Sequence, residues 1–107
     1  MNNGWHVERL SERVWKAVES DPFGQYPFVY FVLGWDKIVV IDTGTGVHDT
    51  HALMLSIPEL KQSNLPFLVI LTHIHFDHVG GVKHFKNKPG NIIAIILVNF
   101  NSTKTLI

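Results

Sequence analysis

The chain has 107 residues, nine Lys and Arg balanced by nine Asp and Glu, seven His and no Cys. A chain of this length makes one domain that buries about two thirds of its unfolded surface, and the lack of Cys excludes a disulfide framework, a Cys zinc cluster and a thiol nucleophile. Zero formal charge with scattered basic residues argues against nucleic acid or an anionic membrane as partner.

The N-terminus, Met1-Asn2-Asn3-Gly4-Trp5-His6, lacks a basic start and an apolar signal core, and the longest apolar run, 92–98, is far too short for a bilayer span. The expectation is a soluble, cytoplasmic protein. Residues 7–10 are too few to assign, whereas 13–18, with Val14, Trp15, Ala17 and Val18, fits a partly exposed strand. The turn-rich Asp21-Pro22-Phe23-Gly24-Gln25-Tyr26-Pro27 reads as a surface loop. Runs 28–33 and 37–41 are β-branched and aromatic, and Gly34-Trp35-Asp36 between them predicts a hairpin of two central strands.

That hairpin ends in Asp42-Thr43-Gly44-Thr45-Gly46, whose glycines permit a sharp turn at a functional rim. Asp49 or Thr50 caps a helix reaching Leu60, with Leu53, Met54, Ile57 and Leu60 as its core stripe and Pro58 disturbing the last turn. A strand at 67–71 leads straight into Thr72-His73-Ile74-His75-Phe76-Asp77-His78-Val79-Gly80-Gly81, after which a helical segment extends to about Asn87. Lys88-Pro89-Gly90 breaks the chain, 91–98 reads as a buried strand, and 99–107 as an unstructured tail. One domain over 1–98 is expected, with no internal repeat.

His-x-His-x-Asp-His at the end of a rigid strand is a metal-site pattern. Neutral imidazole and carboxylate are donors that zinc accepts, and a turn after a strand can aim several of them at one point. The plain alternative is a polar turn with solvated His residues. His48 and His51 read as solvated loop residues, and His6 and His84 as surface.

With this motif, its strand and the upstream Asp42-Thr43-Gly44, the sequence resembles the metallo-β-lactamase fold superfamily. Details such as Asp21-Pro22-Phe23-Gly24 look most like animal metallo-β-lactamase domain-containing hydrolases and the glyoxalase II group, over roughly residues 10–90. The resemblance implies an α/β fold, here part of an αββα sandwich comprising about one mixed β-sheet with two helices. It also implies one or two zinc ions, with iron or manganese suited to the same donors, and hydrolysis of an ester, thioester, lactam or phosphodiester by metal-bound hydroxide. Carried over by position, His73 and His75 would bind the first ion and Asp77 and His78 the second. Asp77 would also accept the proton of the attacking water, and Asp42 would support the ligands from behind.

After His84 the chain has no His, Asp or Glu, so each ion would keep two protein donors where catalytic zinc usually has three. The expectation is therefore a truncated metal-dependent hydrolase, inactive alone, whose substrate when complete would be a small acyl or thioester compound. The 46% hydrophobic fraction and mean hydropathy of +0.15 are high for so short a chain and predict an apolar sheet face left uncovered. The alternative is a non-catalytic metal-binding or interaction fragment that uses this face to pair with itself or with a full-length relative.

Overall fold

A computed structural model of the chain describes residues 4–20, 24, 26–72 and 80–85, together with the backbone of 92–95, 97–98 and 105–106. Six strands form one sheet in chain order: β1 Trp5–Ser11, β2 Val14–Glu19, β3 Phe28–Leu33, β4 Ile38–Ile41, β5 Phe67–Leu71 and β6 Ile92–Ile95. The first four pair antiparallel, and β4–β5 and β5–β6 pair parallel. The change of direction follows from the connections: the β4-to-β5 segment crosses over through helices, which is how parallel neighbours are joined. The result is the mixed α/β sheet expected from the sequence.

Five details differ from the sequence expectations, the last being a short strand within the expected unstructured tail. β1 forms although its exposed residues, including His6, Glu8 and Arg9, hide any apolar period, because pairing with β2 and burial of Trp5 hold it. The expected single helix is two, α1 Thr50–Ser56 and α2 Pro58–Ser63. Pro58 pushes Ile57 into the extended region (φ −87°, ψ 113°), since a residue before proline disfavours the helical conformation. Asp49 caps α1 as expected, accepting from the Ala52 N–H at 2.9 Å. Finally, Gly80–His84 is a 3₁₀ helix, and the expected strand 91–98 is divided between β6 and a short β7, Leu97–Val98, paired with β8, Thr105–Leu106.

The sheet has two unlike faces. On one, Trp15, Ala17, Val29, Phe31, Ile38, Val40 and Val69 are buried and form a single cluster with Leu53, Met54, Ile57 and Leu60 of the helices and with Phe85. On the other, Val14, Val18, Tyr30, Val32, Val39, Ile41, Leu68 and Ile70 remain half-buried, and Lys16 Nζ lies 4.2 Å from the centre of the Phe28 ring. The period of two sends alternate side chains to opposite faces. Both sets are apolar, but among the described residues helices cover only one.

The same isosteric change therefore has different costs on the two faces. Val40→Thr buries a hydroxyl in the helix-covered core and should destabilise by about 1–3 kcal/mol, while Val32→Thr on the open face should stay within about 0.5 kcal/mol. Urea denaturation of the two variants checks this, and equal losses would contradict the assignment of faces.

Candidate functional site

Because β4 and β5 run parallel, with Ile41 in register with Ile70, their carboxyl ends lie together at one edge of the sheet. Ligand crevices of open α/β sheets form at such edges. The Asp42 N–H continues the pairing, donating to the Ile70 carbonyl at 2.8 Å. The backbone then enters the left-handed region at Asp42 (φ 63°), which aspartate tolerates better than most residues. The Asp42 side chain, 6% exposed, accepts from the Thr72 N–H at 2.8 Å through Oδ1 and from the Thr72 hydroxyl at 2.6 Å through Oδ2. Thr72 is the residue immediately before His73, so a buried carboxylate grips the chain where it enters the His motif.

The turn that starts at Asp42 also holds the chain where the motif ends. The Gly81 N–H donates to the Gly44 carbonyl at 3.2 Å, and His84 Nε2 donates to the Gly46 carbonyl at 3.1 Å. Gly80 lies against the Thr45 carbonyl so closely that an added Cβ would overlap it. The Thr50 hydroxyl donates to the Thr43 carbonyl at 2.5 Å, tying α1 to the same turn. Thr72 and Gly80, the two flanks of residues 73–79, are thus both fastened to residues 42–46.

The turn itself rests on Glu19, a fully buried carboxylate at the end of β2. Oε1 accepts from the Thr45 N–H at 2.8 Å. Oε2 accepts from the Thr45 hydroxyl at 2.9 Å, the His48 N–H at 3.3 Å and the His48 ring at Nδ1 at 2.8 Å. A carboxylate only accepts, so this contact places the ring proton on Nδ1. Gly44 fits here because its φ is +77° and a Cβ would come within 2.7 Å of Glu19 Oε1.

Three His residues behave differently from the sequence expectation. His48, expected as solvated, is held by Glu19 and meets Trp5 edge-on, with ring centres 6.1 Å apart. His51 packs against Phe67 and Phe85 at 5.4 and 5.6 Å. His84, expected at the surface, reaches the Gly46 carbonyl. Their polar flanks in the sequence conceal contacts made to distant segments. Sequence reasoning also passed over Glu19, for which a signal exists: Trp15, Ala17 and Glu19 are alternate residues of one strand and face the same core. An acid in a core-facing slot needs buried donors.

Asp42 is the one sequence-derived site residue whose surroundings are defined. His73, His75, Asp77 and His78 lie outside the described residues. Among the described residues no three His, Asp or Glu side chains gather into a metal-holding group, and no helix is long and apolar enough to cross a membrane. The donor chemistry of the motif, imidazole with carboxylate, suits zinc.

Fold and site together define an α/β protein with a candidate ligand edge at the carboxyl ends of its parallel strands. The chain belongs to the metallo-beta-lactamase superfamily, whose sequence model matches residues 23–102. It is similar to the acyl-coenzyme A thioesterase MBLAC2 of Gallus gallus, at 36% identity over 54% of this chain and 22% of that protein. A protein of Aspergillus versicolor named as a candidate transcription factor, avaE, is 30% identical over 78% of this chain and 30% of its own length. Among solved structures, the metallo-beta-lactamase FIM-1 from Pseudomonas aeruginosa, in its mono-zinc form, superposes with a TM-score of 0.63 at 20% identity, over 85% of this chain and 41% of that one. The chain therefore spans less than a third of these curated relatives.

Two substitutions probe the frame. Asp42→Ala removes the acceptor of both Thr72 groups and places alanine at a positive φ, for a loss of about 3 kcal/mol; Asp42→Asn keeps one oxygen and the tolerated backbone, and should lose less than half as much in the same denaturation experiment. Gly80→Ala forces a methyl group onto the Thr45 carbonyl and should cost about 1–3 kcal/mol, read as a lowered thermal midpoint.

Proposed function

We propose that the chain carries metal-binding residues of a zinc-dependent hydrolase acting on a thioester or other acyl substrate. The observation that supports this reading best is the Asp42 carboxylate fastened to both the backbone and the hydroxyl of Thr72, directly before the His-x-His-x-Asp-His run. Similarity to an acyl-coenzyme A thioesterase favours a thioester.

In this reading His73 and His75 hold one ion, and Asp77 and His78 a second. An ion held by these residues would supply a polarising charge for the acyl carbonyl and lower the pKa of a bound water. Asp77 takes up the proton of the attacking water on a carboxylate oxygen. Asp42 does not touch the substrate; it fixes Thr72, the residue before the motif, and support of metal ligands from behind typically governs affinity or activity by about 10 to 100-fold. Four donors shared between two ions leave two each, fewer than the three that catalytic zinc usually has.

The test is metal content per folded chain after expression with zinc, for the wild type and for His73→Ala/His75→Ala, with hydrolysis of an acyl-coenzyme A measured beside it. The expected result is about one to two zinc ions per wild-type chain, lost in the double variant. A folded wild type that retains no zinc would refute the proposal.

A second reading is a metal-binding protein without turnover that pairs with a second copy through the open face of the sheet. It is favoured by the half-buried apolar residues of that face, among them Tyr30, Val32, Val39 and Ile41. Zinc retained without hydrolysis, together with a dimer in sedimentation that Val32→Lys dissociates, would select it over the first.

A further inference from the structure

We infer that Glu19 is a positioning residue for the metal loop: its buried carboxylate sets the turn to which both flanks of residues 73–79 are fastened. This rests on the metal-site reading above.

A fully buried carboxylate is retained at a cost of several kcal/mol in lost hydration, so its hydrogen bonds have to be made in full. All four contacts of Glu19 go to Thr45 and His48, that is, to the turn and the residues just after it. None of the four serves the pairing of the sheet. From the turn, connections then run outward to each flank of the motif. Asp42 grips Thr72 on the entering side, and Gly44 and Gly46 accept from Gly81 and His84 on the leaving side. Gly80 lies directly on the Thr45 carbonyl, the same residue whose N–H and hydroxyl Glu19 holds. Removing the carboxylate frees Thr45 to move and shifts the surface on which Gly80 is seated. The separation of Thr72 from Gly80, the two described ends of the motif, then loosens.

The experiment measures zinc affinity by chelator competition and backbone amide exchange in the metal-free protein, for the wild type, Glu19→Gln, Glu19→Met and Thr45→Val. Glu19→Gln keeps an oxygen for the Thr45 N–H, and its amide can donate to Nδ1 in the other His48 tautomer, so its loss should be the smaller. Glu19→Met leaves these donors without an acceptor and should weaken zinc binding about tenfold or more. Exchange at Gly81 should accelerate in Glu19→Met while Phe31, in the middle of the sheet, keeps its protection. A role limited to overall stability would move both amides together. Wild-type zinc affinity and wild-type Gly81 protection in a folded Glu19→Met would overturn the inference. If Glu19→Met does not fold, Thr45→Val decides the matter by the same two readings: weakened zinc binding with faster Gly81 exchange supports the inference, and no change overturns it. A wild type that binds no zinc defeats the metal-site reading instead, and unchanged Gly81 exchange would still count separately against Glu19.

Discussion

The constraint on which the site depends is the desolvated carboxylate of Glu19. An unpaired charge in a protein interior is not sustainable, so the chain that meets it must bring donors, and residues 45–48 bring all of them. This makes the conformation of the turn a property of the core rather than of the loop. A turn held only by its own local bonds would be free to flex with solvent; this one is anchored to the end of a central antiparallel ladder. Asp42 repeats the device at the first residue of the same turn, with Thr72 as its partner. Two buried acids, one ending β2 and one directly after β4, therefore fix residues 42–48: Glu19 holds Thr45 and His48, and Asp42 ties the first residue to Thr72.

The rest of the architecture determines where that turn lies. Parallel pairing of β4 with β5 places Asp42 and Thr72 at a common edge, which an antiparallel pair could not do, because its strands end on opposite sides. The crossover through α1 and α2 covers one face of the sheet. The break at Ile57 lets the crossover bend, so that Leu53 and Met54 from one helix and Leu60 from the other reach the same core cluster.

The face that no described helix covers is the counterpart of that arrangement. Tyr30, Val32, Val39 and Ile41 are as apolar as the residues that alternate with them, yet they remain half-buried. Strands that read as near-continuous apolar runs are those of sheets buried on both sides. The hydropathy of the whole chain, high for its length, comes in part from this second face.

Much was legible in the residues themselves. The hairpin 28–41 declares itself by β-branched runs around Gly34-Trp35-Asp36, α1 by Asp49 and its spaced apolar residues, β5 by its uninterrupted apolar run, and the site edge by Asp42 followed by glycines. These signals are local, since they rest on propensity, capping and period within a few residues. What only the tertiary structure decided is which of two equally apolar faces is covered, that polar β1 is a strand at all, and that His48 and Glu19 are partners 29 positions apart. Each of those depends on contacts between segments distant in the chain, and a one-dimensional pattern cannot carry the energy of burying one side chain against another that it meets only after folding.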